Sequence, residues 1–110
     1  MSYSVSKNKI LLTRGDTAIF KVSIDYTKTG DPYVPDEGDI IRFTLKKHLS
    51  DRTVLITKDV STDTMLLTID PEDTDNLLFG RYFYDMKLIK RSGRTDTFIS
   101  DILELTKEVG

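Results

Sequence analysis

No cysteine occurs in this chain, which excludes disulfide support, a thiolate metal site and a thiol nucleophile. There is one histidine, His48. No run of about 18 apolar residues exists to cross a bilayer as a helix. The opening residues Met1–Lys9 lack the apolar core of a secretion signal, and the expectation is a protein made in the cytoplasm. Charge of one sign is also missing. Sixteen Lys and Arg against eighteen Asp and Glu leave a formal −2, which gives no global attraction to nucleic acid or to an anionic membrane. Internal repeats, linkers and low-complexity segments are absent too.

What is present is two-residue alternation. In 17–26, Ala18, Phe20, Val22, Ile24 and Tyr26 alternate with Thr17, Ile19, Lys21, Ser23 and Asp25, the pattern of a half-buried strand. The same period puts Ile41, Phe43 and Leu45 inward from 39–47, Met65, Leu67 and Ile69 from 64–70, and Tyr82, Tyr84, Met86 and Leu88 from 81–90. Weaker strands are read at 8–13 (Ile10, Leu12), 53–60 (Val54, Ile56, Val60) and 95–106. In the last, Phe98, Ile99, Ile102, Leu103 and Leu105 break a single alternation, and a bulge near Ser100-Asp101 would switch the inward face. The 110 residues are long enough for one core, so residues 1–110 form a single domain.

The segment Asp70 to Gly80 carries helix punctuation. Asp70 can cap, Pro71 suits the first helical position, Glu72 and Asp73 favour the positive end of the helix dipole, and Gly80 can end the turn. One short helix is predicted there, with Leu77 or Leu78 plugging the sandwich. About seven short strands with a helical plug before the sixth is the layout of an immunoglobulin-like antiparallel β-sandwich. Tyr82, just after Gly80, falls where that fold places a corner tyrosine, and Tyr84 where antibody domains place a cysteine. Two core tyrosines without a corner bond are the alternative.

Candidate chemistry is sparse. His48 stands beside Ser50 and Asp51, but neighbours in sequence rarely supply triad geometry, so a surface turn is expected and no catalytic residue is assigned. Asp31, Asp36, Glu37 and Asp39, and again Asp70, Glu72, Asp73 and Asp75, suit calcium by type but not by EF-hand spacing. Turn chemistry accounts for them, and neither a metal nor a cofactor is assigned. Lys87, Lys90, Arg91 and Arg94 cluster on the last hairpin. The sandwich layout puts this tip at the same end as Asp31 to Asp39, so internal charge pairing is expected rather than nucleic-acid contact.

The outward face of the sixth strand carries Phe83 and Ile89, which the core does not need. With Ile40 or Arg42 beside them they would form a patch for protein–protein contact, so Phe83, Ile89 and Ile40 are the candidate interface. Arg14-Gly15-Asp16 matches an integrin-binding tripeptide, yet its place between two strands reads as a turn, with Gly15 supplying conformational freedom and Asp16 local backbone bonding. Arg14, Gly15, Asp16, Gly80 and Tyr82 are therefore structural corner residues, with Arg14 expected to face an acidic residue of the plug.

The order Leu12-Thr13-Arg14-Gly15-Asp16-Thr17-Ala18-Ile19-Phe20, then Ile41-Arg42-Phe43-Thr44, then Gly80-Arg81-Tyr82-Phe83-Tyr84-Asp85 resembles the N-terminal β-sandwich domain of phage baseplate upper proteins and small prophage tail or baseplate proteins of Gram-positive bacteria, over nearly the whole chain. The resemblance implies a non-enzymatic virion structural module that docks against other tail or baseplate proteins or against copies of itself, in the bacterial cytoplasm during assembly and then in the virion. It brings no catalytic residue, cofactor, nucleic acid or membrane. The coiled-coil and receptor-binding parts of larger members have no counterpart up to Gly110, so host receptor binding is not expected. A carbohydrate or cell-surface ligand-binding module, acting through 27–38 and 91–95 with Tyr33 or Arg94, is the alternative.

Overall fold

Two sheets share one apolar interior in the computed structural model, which describes residues 3–6, 8–25 and 29–107, the first four by their backbone alone. The strands are β1 (Tyr3–Ser6), β2 (Lys9–Thr13), β3 (Ala18–Lys21), β4 (Ile40–Lys46), β5 (Ile56–Val60), β6 (Leu66–Ile69), β7 (Gly80–Ile89) and β8 (Thr95–Thr106), with one helical turn, α1 (Pro71–Thr74), before β7. Six strands form the larger sheet in the order β1-β2-β8-β7-β4-β5, and β3 pairs with β6 in a small one. A bridge between Ser61 and Leu66 joins the end of β5 to the start of β6.

The alternation read from the sequence is what the sheets bury. Phe43, Leu12, Ile41, Leu45, Leu67, Ile69, Leu103 and Leu105 are almost wholly inaccessible, each worth about 1.5–3 kcal/mol of transfer free energy. Tyr84 lies against Phe43 with ring centroids 5.3 Å apart. Tyr26, expected to end the inward row begun at Ala18, lies outside the described residues.

Four expectations change. The sheet is mixed rather than antiparallel, because β2 runs parallel to β8, Ile10 opposite Leu103 and Leu12 opposite Leu105. The chain leaves the larger sheet through residues 14–17 and starts β3 in the other, which frees β2 to lie beside the last strand in the same direction. An added strand, β1, hairpins onto β2. The bulge in β8 falls at Phe98, not at Ser100-Asp101, since Met86 pairs with Ile99 and Lys87 with Thr97. Ile99, Asp101, Leu103 and Leu105 then share the inward side, and Ile102 points outward opposite Phe83. Finally, Val54 is 44% exposed. The Leu55 N–H donates to the Leu45 carbonyl at 2.8 Å, and β5 begins only at Ile56, so Val54 has no place in the inward row.

At the β2–β3 end, Gly15 (φ +82) turns the chain so that its N–H donates to Thr74 Oγ1 at 2.8 Å, on a side chain buried inside α1. Asp16 N–H closes the turn on the Thr13 carbonyl at 3.2 Å. Arg14 reaches the plug through the Leu77 carbonyl at 3.4 Å and stacks 4.2 Å from the Phe79 ring centroid. Lys58 pairs with Asp70 and Asp73 of the plug, at 3.0 and 2.9 Å. Of the two plug leucines, Leu77 is the one packed against the core, and Leu78 is 79% exposed. Tyr82 donates its hydroxyl to the Leu78 carbonyl at 2.5 Å, four residues upstream.

Candidate functional site: a groove beside the last hairpin

The opposite end of the domain is built around one carboxylate. Asp39, at the entry to β4, has a side chain 1% exposed and is held by groups from two loops. Its Oδ2 accepts the Tyr33 hydroxyl at 2.5 Å and the Asp36 N–H at 2.9 Å. Lys90, the first residue after β7, brings its ammonium to 2.9 Å from Asp39 Oδ1, 2.8 Å from Asp36 and 2.6 Å from the Tyr33 hydroxyl. The Tyr33 bond holds the Asp39 carboxyl below its usual range, helped by Lys90. The bonds to Asp36, Tyr33 and Asp39 raise Lys90, while burial, then Asp39, raise the Tyr33 phenol. Gly38 (φ +89) lies where an added Cβ would come within 3.0 Å of Arg91 Cδ, which fastens the acidic loop to the hairpin. The expected pairing of the basic hairpin with Asp31 to Asp39 is thus made by Lys90. Arg94 instead pairs with Asp96 of its own hairpin at 3.3 Å.

Beside this network runs an open groove of about 960 Å³, lined by Tyr33, Lys90, Arg94, Ser23 and Asp25, with Ile24, Leu88, Phe98 and Ile99 contributing its apolar surface; the Tyr33 N–H donates to the Ile24 carbonyl at 2.7 Å, so Tyr33 and Asp25 lie on adjoining segments. A second hollow of about 400 Å³ shares Asn8, Ser23 and Ile99 with it and continues along the seam between the sheets to Phe20, Val22, Tyr84 and Met86. The seam exists because β2 leaves β8 early. Pairing stops at Ile10 and Leu103, and side chains take the next backbone groups. The Asn8 carbonyl accepts the Tyr84 hydroxyl, and the Ile102 N–H donates to Asp101 Oδ1 at 2.7 Å. Burial, then the nearby Asp101 charge, push the Tyr84 phenol up to about 12.

The expected interface is not one patch. Ile40 does lie opposite Ile89, but Phe83 is six residues away along β7, roughly 20 Å. The face between them carries the Arg42–Asp59 pair at 2.9 Å, together with Asp85 and Lys87. Phe83 keeps company with Ile102 instead. His48 is exposed in a turn closed by its N–H on Asp51 Oδ2 at 3.1 Å, and it follows the end of β4 remote from the groove. Among the described residues no group of three or more His, Cys, Asp or Glu is placed to hold a metal ion. Nor is any helix long and apolar enough to cross a membrane. The groove itself went unread in the sequence, apart from Tyr33 and Arg94, because it depends on where two strands part company. No protein-family model matches the chain, and no curated protein matches it significantly.

Proposed function

We propose that this chain is a non-enzymatic immunoglobulin-like module that works by protein–protein contact, as a structural part of a phage or prophage tail or baseplate. The immunoglobulin-like reading draws on the strand order, with β2, β8, β7, β4 and β5 facing β3 and β6, and on the Tyr82–Leu78 corner bond. The observation that carries the binding role is the groove: a concave surface of mixed apolar and polar character whose lysine is held by Asp36, Asp39 and Tyr33. Its hydroxyls have no imidazole beside them, since the one histidine lies elsewhere. The phage setting rests on the resemblance set out from Leu12 to Asp85. Mass spectrometry of purified particles from a phage that encodes the chain tests it. Presence in stoichiometric amount, with co-purifying tail proteins, is the expected result. Absence from intact particles refutes it.

A ligand-binding role is the second reading. It is favoured by Tyr33 and Phe98, two aromatic surfaces in a groove that also presents Asp25, Asp96 and Arg94. It requires saturable glycan binding that is lost in Arg94→Ala, and a glycan array with no saturable binder counts against it.

A further inference from the structure

We infer that the edge of β8 beside the groove, which no described strand pairs with, is a strand-addition site for an extended polypeptide segment of a partner protein. The inference rests on the protein–protein reading above and specifies its surface.

The backbone dictates which groups are on offer. Even-numbered residues of β7 bond toward β8, as the Lys90 N–H to Arg94 carbonyl bond at 2.7 Å shows at the hairpin end. Counting along the register from there, Asp96, Ile99, Asp101 and Leu103 face β7. The N–H and C=O groups of Thr95, Thr97 and Ser100 therefore face away from it, on the side where β2 pairs only with Leu103–Thr106. At the far end of β8 that side is satisfied, the Thr106 carbonyl accepting the Arg14 N–H at 3.0 Å. From Thr95 to Ser100 no described strand fills it. Such a row of unpaired groups is what an added strand recognises.

Beside the edge lies the trough rather than flat sheet. Ile24, Leu88, Phe98 and Ile99 offer apolar contacts for alternate side chains of an incoming strand, and the bulge at Phe98 disfavours the long flat pairing that leads to aggregation. Charge narrows the partner. Lys90 is neutralised by Asp36 and Asp39 and Arg94 by Asp96, which leaves Asp25 as the carboxylate on the groove wall without an ion pair among the described residues. The segment that fits has apolar residues at every second position and a basic residue toward Asp25. The six residues Thr95–Ser100 give it about 20 Å of edge, or roughly six residues of its own.

The test is a selection from a random library of peptides of roughly eight residues against the whole chain, followed by calorimetric titration of the enriched peptides. Three results are expected. N-methylation of alternate peptide amides weakens binding at least about tenfold, amide exchange slows at Thr95, Thr97 and Ser100, and Ser100→Pro, which removes an edge donor without disturbing the β7 ladder, weakens binding similarly. The N-methyl peptides use the unaltered protein, so they decide the matter even if the proline variant folds poorly. No enriched peptide, or peptides indifferent to N-methylation, or glycans competing for a site that Ser100→Pro leaves intact, each overturn the strand-addition site. Particle composition separately decides whether the chain is a virion module at all.

Discussion

Removing one oxygen from Tyr84 should make the protein less stable at neutral pH and more stable in strong alkali. The hydroxyl donates to the Asn8 carbonyl where β2 leaves β8, and Asn8 is exposed and lines the groove, so water can replace the lost donor. Tyr84→Phe should therefore cost about 1 kcal/mol at pH 7, the ordinary net value of a hydrogen bond. Burial raises the phenol from 10.0 to about 12. Between those values the folded chain keeps a proton that the unfolded chain has lost, so stability falls as pH rises. The contribution is complete below about pH 10 and lost as pH passes through the folded value. Two pH units correspond to roughly 2.7 kcal/mol in the limit and about 1.4 kcal/mol by pH 11. The wild-type advantage of about 1 kcal/mol should then vanish and reverse near pH 11. Urea unfolding of both proteins at a series of pH values isolates Tyr84, because the other tyrosines and the lysines titrate alike in the two. A stability difference that stays constant through this alkaline range would falsify the account of Tyr84 as a buried, proton-holding phenol.

Tyr82 should behave more simply. Tyr82→Phe breaks the bond to the Leu78 carbonyl, and since Leu78 is 79% exposed its carbonyl can hydrate, so urea unfolding should read a loss of about 1 kcal/mol; no loss at all would mean that the corner bond is not made in solution. Asp39 governs the acid side. Its folded pKa lies below its ordinary value, so its contribution is present above about pH 4 and lost as pH falls through the folded value. Unfolding curves taken down from pH 6 should show a flatter acid limb for Asp39→Asn than for the parent, and identical limbs would remove Asp39 from the network's titration.

How much of this could be read from the sequence depends on whether one strand or two decide a feature. The inward rows Ile41-Phe43-Leu45 and Tyr82-Tyr84-Met86-Leu88 follow from burial of one face of one strand, and alternation reports that directly. The capped turn at Asp70 is equally local, Asp73 returning its carboxylate to the Asp70 N–H at 2.8 Å. The bulge is not legible in the same way, because Phe98, Ile99, Ile102, Leu103 and Leu105 are apolar on both faces, and Ile102 lies opposite the outward Phe83. An apolar residue facing out opposite another leaves the same trace in sequence as a change of face. The spacing within Phe83, Ile89 and Ile40 is illegible for a related reason: shared parity puts residues on one face, but only register puts them side by side.

The groove follows from the same distinction. Nothing in Ser4-Val5-Ser6 or Thr95 to Ser100 says that β2 will stop pairing at Ile10, yet two side chains act at that fork: the Tyr84 hydroxyl takes the Asn8 carbonyl and Asp101 takes the Ile102 N–H. Each satisfies a backbone group that would otherwise favour continuing the ladder. The divergence is thus chemically held, and the edge it exposes is flanked by the Lys90–Asp39–Tyr33 network, which fastens the neighbouring loop to the hairpin. Because the Tyr84 hydroxyl is one of the two groups that hold the fork, stability and peptide binding are coupled through it. If the seam accepts a strand, Tyr84→Phe should let β2 drift toward β8 and lower peptide affinity at pH 7 by more than its small cost in stability would suggest. Alkali that ionises Tyr84 should do the same to the unaltered protein, so affinity lost on both routes would tie the groove to the fork rather than to the loops alone.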